Sequence, residues 1–175
     1  AEEATTPDVP FRISVNYTNT KHLWLRIVKS DGKPDARYND GDWQKRILKL
    51  PALREWNVDL PDDGDLNAHV VELPVEPLSL GNYVIIAGDG TLPNNDGNVT
   101  TTAVQVTRLA MAQRTGAKGN PGALVLDREN GMPVQSAKAE LFVRRYENSG
   151  VREISIGSAV TDADGMAEVA APKGQ

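Results

Sequence analysis

The chain has 175 residues, enough for one large domain or two of modest size. Hydrophobic residues make up 39% of it, which allows a packed core, and its net charge of −5 argues against a nucleic-acid partner. It contains no cysteine, which excludes disulfides, thiolate metal sites and cysteine nucleophiles. No apolar run approaches the roughly 18–20 residues of a membrane-spanning helix, so we expect no direct membrane insertion.

Residues 1–9 begin the chain with a polar stretch for which we predict disorder. Such a stretch suits a mature N-terminus that follows a removed signal or lipid anchor, or simply an arbitrary boundary. The first interpretation predicts a protein of the periplasm or the cell surface. In that case a removed N-terminal segment could have carried a lipid anchor.

The first half of the chain alternates apolar and polar residues with a period of two, which is typical of β-strands. Residues 11–17 and 23–27 follow this period on either side of a short polar turn and are interpreted as a hairpin. Residues 45–53 suit a short helix or an irregular strand, because Pro51 excludes a long helix there. Further strands of the first half are predicted within residues 56–60, 69–75, 83–87 and 99–106.

The second half has shorter strands separated by turns rich in glycine, asparagine and aspartate. These strands are predicted within residues 123–126, 137–144, 154–160 and 167–169. No helical period persists for three turns anywhere in the chain. The sequence therefore predicts an all-β protein of two Ig-like antiparallel β-sandwich modules in tandem.

The predicted modules span residues 10–102 and 103–175. The strand at 99–106 crosses this boundary and either closes the first module or opens the second. Because the second module is short for a seven-stranded sandwich, we expect the parent polypeptide to continue beyond Gln175.

Three clusters of aspartate and asparagine could in principle supply oxygen ligands to calcium. Their members are Asp62, Asp63 and Asp65; Asp89, Asn94, Asn95, Asp96 and Asn98; and Asp162 and Asp164. No cluster has the spacing of a calcium loop that ends in a distant glutamate, and tight turns require these same residue types. The two histidines, His22 and His69, are too few for a zinc site. We therefore predict solvated turns and no metal or cofactor.

Two of the three tryptophans are candidates for contact with a neighbouring domain or a partner. Trp24 is out of phase with Leu23 and Leu25, which predicts that it faces away from the core, and Trp43 lies in a polar connection. The alternative is a connection that folds back over the sandwich. Trp56, in phase with Val58, is predicted to lie in the core.

No catalytic motif is present: the chain lacks a Gly-x-Ser-x-Gly elbow and a Walker loop. Aromatic residues make up only 5% of the chain, so few aromatic side chains are available to form a sugar-binding platform. We therefore predict that the chain is not an enzyme.

Three segments of the chain resemble known folds or protein families. Leu78-x-x-Gly81-x-Tyr83 is similar to the tyrosine corner of Ig-like sandwiches. The pattern Gly131-x-Pro133-Val134-x-x-Ala137, followed by a strand and then by Thr161-Asp-x-Asp-Gly-x-Ala167, resembles macroglobulin-like and carboxypeptidase-regulatory-like sandwiches. The third segment is the pattern from Trp56 to Pro61. Taken together, the three segments are similar to the N-terminal macroglobulin-like domains of bacterial alpha-2-macroglobulin family proteins.

This resemblance implies two macroglobulin-like modules that form part of a longer, secreted or periplasmic protease inhibitor. The chain would be a non-catalytic scaffold, with other domains of the same polypeptide as its partners and with proteases contacted through the full-length protein. Many family members carry a thioester that includes a cysteine, and this chain contains no cysteine that could form one. The alternative function is a cell-surface adhesin or carbohydrate-binding accessory module that uses Trp24 and Trp43.

Overall fold

The computed structural model describes residues 4–31, 41–61, 64–89, 99–116, 119–147 and 150–170. It divides the chain into two compact units, Ala1–Thr107 and Arg108–Gln175. The division falls beyond the predicted boundary at residue 102, because the strand Val99–Val106 pairs along its whole length with Gly81–Asp89 and completes the sheet of the first unit.

Strands make up most of both units, and the predicted all-β class is confirmed. The first unit contains β1 (Ala4–Thr5), β2 (Phe11–Tyr17), β3 (His22–Ser30), α1 (Gly41–Leu48), β4 (Ala52–Asp59), β5 (His69–Val75), β6 (Gly81–Asp89) and β7 (Val99–Val106). The second contains β8 (Leu109–Thr115), β9 (Pro121–Asp127), β10 (Lys138–Glu147), β11 (Gly150–Val160) and β12 (Met166–Glu168).

The first unit is a sandwich of a five-stranded sheet, in the order β1-β7-β6-β3-β4, and the two-stranded sheet β2-β5. An inter-sheet core fills the space between them, with Ile13 and Leu73 from the small sheet and Leu25, Ile27 and Ile85 from the large one. Trp56, predicted to lie in the core, is half-buried and packs against it. The alternation along each strand therefore decides which side chains face this core.

The N-terminal segment differs from the predicted disorder at residues 4–9. Ala4 and Thr5 pair in parallel with Gln105 and Val106 of β7, and the backbone N–H of Thr107 donates to the carbonyl of Thr5 at 2.9 Å. Backbone groups supply these bonds, so an apolar pattern was not needed and the sequence showed none.

The predicted tyrosine corner is confirmed. The hydroxyl of the buried Tyr83 donates to the backbone carbonyl of Ser79 at 2.9 Å. Gly81 has a φ of 153°, and a Cβ placed on it would lie 3.4 Å from that hydroxyl. Glycine is therefore required by the backbone angle, and the corner fixes the start of β6.

The second unit consists of a three-stranded sheet, β12-β9-β8, and the hairpin β10-β11. Among its described residues, the buried apolar side chains are small: Ala123, Val125, Ala167 and Val169. A polar contact supplements this thin core, since the buried Thr161 hydroxyl donates to the Val134 carbonyl at 2.6 Å and accepts from the Ala137 N–H at 2.8 Å.

The Thr161-Asp-x-Asp-Gly segment forms the tight turn that the sequence predicts. The Asp162 carboxylate accepts from the backbone N–H groups of Asp164, at 3.0 Å, and Met166, at 2.9 Å. Gly165 has a φ of 73°, and a Cβ there would lie 2.5 Å from the Val125 carbonyl oxygen. The turn can therefore approach β9 only because residue 165 has no side chain.

Gly131 and Gly165 have nearly equal φ, so comparing them separates the cost of the backbone angle at Gly165 from the cost of its close approach to β9. Gly131→Ala, at φ 72° with nothing within 4 Å of its Cβ, is expected to cost only the left-handed strain of about 1 kcal/mol. Gly165→Ala adds the overlap with Val125 and is expected to cost about 3 kcal/mol in total. Urea unfolding followed by circular dichroism measures both; equal losses would contradict the role assigned to the close approach. Tryptophan emission reports only the first unit, where all three tryptophans lie, and should not change.

Candidate functional site

The predicted contact residues Trp24 and Trp43 meet on the outer face of the large sheet of the first unit. Helix α1 lies on this face and contributes Trp43 and Ile47, and β3 contributes Trp24. We call this group the outer cluster; its buried members are Trp24, Val28, Trp43, Ile47, Val84 and Ile86. Trp24 thus faces away from the inter-sheet core, as its phase predicts, but it is covered.

Arg26 links the helix to the sheet. On β3 it lies two residues from Trp24 and therefore on the same face, with its guanidinium carbon 5.1 Å from the centre of the Trp24 ring. The guanidinium also forms an ion pair with Glu55 on β4 and donates to the backbone carbonyl of Leu48 at 2.7 Å. That carbonyl belongs to the last turn of α1, which has no helical partner for it.

The burial of both indoles corrects the expectation of an exposed contact. Trp24 is 2% exposed and Trp43 is 7% exposed. The structure matches the alternative that the sequence left open, in which the connection between β3 and β4 folds back over the sandwich. Neither ring offers a surface to a partner while α1 is docked.

A second group of polar side chains lies where β2 ends and β5 begins. The Asp65 carboxylate bonds to the His69 imidazole at 2.7 Å and accepts from the backbone N–H of Asn67 at 3.1 Å and from its side-chain amide at 2.7 Å. The His69 ring lies 5.5 Å from the Tyr17 ring, whose hydroxyl donates to the Pro61 carbonyl at 3.2 Å. These contacts join the turn before β5 to the small sheet.

Hydrogen bonds to the Asp65 carboxylate, first from His69 and then from Asn67, hold the pKa of Asp65 below its ordinary value of 3.8. The carboxylate therefore stays ionised at neutral pH and keeps its three donors. His22, the other histidine, bonds at 2.6 Å to Asp59, its cross-strand neighbour on β4.

Two of the predicted aspartates, Asp65 and Asp162, act as turn residues in the structure. Within the part of the chain that the structure describes, no three histidine, aspartate or glutamate side chains are placed to share an ion. Asp65 and Asp162 instead accept from neighbouring backbone N–H groups, as turn residues do. Of the other predicted candidates, Asp89 ends β6 and Asp164 lies in the turn with Asp162, whereas those at residues 62, 63, 94–96 and 98 lie outside the described residues.

The best-defined constellation is thus a structural clamp made of the outer cluster and Arg26. Sequence reasoning identified both tryptophans and missed Arg26, although the period of two already placed it on the face of Trp24. None of the helices in the described ranges is long and apolar enough to span a membrane.

Comparison with known proteins gives likeness in structure alone. No family model matches the sequence, and no curated protein matches it significantly. Native alpha-2-macroglobulin from Escherichia coli, in a structure spanning domains MG0-NIE-MG1, aligns with 99% of this chain at 14% identity and a TM-score of 0.66. This chain spans 56% of the length of that one.

A second structure of the same Escherichia coli protein, spanning domains NIE-MG1, covers 91% of this chain at 13% identity and a TM-score of 0.57. This chain spans 78% of its length. At such low identity the likeness establishes the fold, and the predicted resemblance to alpha-2-macroglobulin domains is confirmed at that level.

Arg26→Met tests the clamp, since methionine keeps an apolar stem but removes the guanidinium. We expect a loss of about 2 kcal/mol from the first unit, because the Leu48 carbonyl and Glu55 lose a charged donor. Tryptophan emission should shift to longer wavelength as α1 loosens over Trp24. The matched control is Arg12→Met, whose pair with Glu72 is well exposed and should contribute under about 1 kcal/mol. Equal effects on urea unfolding would contradict the clamp.

Acid titration tests the Asp65 contacts. Because the folded chain lowers the pKa of Asp65, the stabilisation is fully present above 3.8 and is lost as the pH falls through the folded-state pKa. Asp65→Asn should therefore reduce stability at pH 7 and flatten its decline in acid. Asp59→Asn, which removes an exposed carboxylate that bonds to His22, is the control. The urea midpoint of each variant is measured from pH 7 down into acid. If the midpoint of Asp65→Asn falls with pH as steeply as that of the unsubstituted chain, the assignment is refuted.

Proposed function

We propose that the chain is a non-catalytic structural module of a secreted or periplasmic alpha-2-macroglobulin-like protease inhibitor. The observation that carries this proposal is the fold likeness, which extends over 99% of the chain to a fragment of a bacterial alpha-2-macroglobulin. Nearly every described residue thus has a counterpart in a protein of that kind, even though the sequences have diverged.

The internal contacts of the chain support a scaffold role. Arg26, the largest polar group near the outer cluster, is directed at a helix end and at Glu55. Asp65 and Asp162 bond to their own turns, and Thr161 joins two segments of the second unit. These polar groups hold the strands and turns in place, which is the task of a module that positions other domains.

Its partners in this proposal are the other domains of a longer polypeptide, and proteases would be contacted through the full-length protein. The chain spans 56% of the Escherichia coli fragment that it resembles, which is consistent with a piece of a larger assembly. We propose the periplasm or the cell surface as its location.

The alternative of an adhesin or carbohydrate-binding module depended on exposed indoles. Trp24 lies beneath α1 and Trp43 lies on the buried face of α1, so neither indole offers the surface that this function assumed. No other observation favours this alternative.

The test compares two leucines in the full-length polypeptide. Leu25→Asp places a charge in the inter-sheet core, where Leu25 is fully buried, and should abolish stable capture of a protease such as trypsin, measured as protease co-eluting with the polypeptide at matched abundance. Leu66→Asp, at a residue that is 79% exposed, should capture like the unsubstituted protein. The isolated 175-residue chain should not inhibit trypsin.

Two results would overturn the proposal: stoichiometric inhibition by the isolated chain, or full capture by the Leu25→Asp polypeptide. In the same cells, the polypeptide should appear in the osmotic-shock fraction or on the outer surface. Retention in the cytoplasm would contradict the proposed location.

A further inference from the structure

Among the described strands, β10 has a neighbour on one edge only. It pairs with β11 from Lys138 to Glu147, and no other strand among the described ranges lies beside it. The edge that faces away from β11 therefore carries backbone N–H and C=O groups with the geometry to accept another strand.

The edge is regular enough to be paired. Leu141 is opposite Gly157 and Phe142 is opposite Ser155, so the extra residue of the bulge, Ile156, belongs to β11 and not to β10. From Lys138 to Arg144 the side chains of β10 alternate between an exposed and a half-buried row. The exposed row is Lys138, Glu140, Phe142 and Arg144, and the half-buried row is Ala139, Leu141 and Val143.

This pattern is complementary to itself when reversed about Phe142. Two antiparallel copies related by a two-fold axis at Phe142 place Glu140 of each opposite Arg144 of the other. Leu141 then meets Val143 twice, and the two Phe142 rings, each 49% exposed, meet at the centre. Opposite charges and apolar pairs that face each other across strands are favourable.

A neighbouring register loses this match. A two-fold axis at Leu141 places Lys138 opposite Arg144, which brings like charges together in both halves. Charged residues on an edge strand normally prevent pairing. Here their alternating sign permits one register and penalises its neighbour.

The existing partners of the two charged groups leave room for a second contact. Glu140 accepts from the Ser155 hydroxyl at 2.7 Å, and Arg144 donates to Glu153 at 2.9 Å, both on the exposed face of the hairpin. The Ser155 hydroxyl, and to a lesser extent Lys138, hold the pKa of Glu140 below its ordinary value, so its carboxylate is ionised at neutral pH. A carboxylate and a guanidinium each have further hydrogen-bonding capacity.

From this pattern we infer that the occupant of the β10 edge is a second copy of this chain, paired antiparallel about Phe142. The result is a continuous four-stranded sheet with the order β11-β10-β10-β11 across two molecules. A symmetric interface of this kind uses the same patch on both copies. The inference is independent of the proposed inhibitor function.

Charge exchange tests this arrangement in the 175-residue chain by sedimentation over a range of concentrations. The unsubstituted chain should dimerise reversibly. Glu140→Arg alone and Arg144→Glu alone should each weaken self-association by about tenfold or more, because both cross-strand pairs become repulsive. The double variant should restore it, and an equimolar mixture of the two single variants should form a heterodimer.

The matched control is Glu153→Arg, which makes the same change of charge as Glu140→Arg but on β11. It disturbs the Arg144 ion pair within the hairpin and should leave dimerisation within about threefold of the unsubstituted chain. Circular dichroism confirms that each variant is folded. A chain that stays monomeric into the millimolar range, or a dimer that is insensitive to the exchanges, overturns the inference.

Discussion

The first unit depends on the burial of β3 on both faces. Leu25 and Ile27 lie in the inter-sheet core, while Trp24 and Val28 lie in the outer cluster beneath α1. A strand of a two-layer sandwich normally exposes one face, and its outward residues are then polar. The apolar outward residues of β3 therefore require the helix, and the helix in turn requires Arg26, which bonds to the carbonyl of Leu48 and to β4 through Glu55.

The second unit is stabilised in a different way. Its buried apolar residues among those described are alanines and valines, which contribute less burial free energy than leucine, isoleucine or tryptophan. Turn contacts carry a larger share of the structure, as in the buried Thr161 hydroxyl and the left-handed Gly165 pressed against β9. Sequence patterns of glycine, aspartate and threonine are therefore more informative in this unit than apolar periodicity.

The sequence predicted those features that depend on local chemistry. The phase of Trp24 against Leu25, the corner at Tyr83 and the turn at Gly165 all follow from alternation or from backbone angles. What covers Trp24 could not be predicted, because α1 has eight residues and is too short to show a helical period. The pairing of Ala4 and Thr5 with β7 was also hidden, since it depends on backbone hydrogen bonds between distant residues.

At a strand edge, local sequence chemistry and pairing between distant segments act together. In β5, Pro74 lacks a backbone N–H and so weakens any pairing of that strand with a further one. The edge of β10 has no proline and is protected by charge, which depends on register in a way that a proline does not. Alternating charges repel neighbours that arrive in the wrong register and attract the one that matches, so the same residues that guard the edge also determine which strand it can accept. Such specificity does not follow from composition, because it depends on the order of the charges along β10 and on an edge of β10 that no described strand covers.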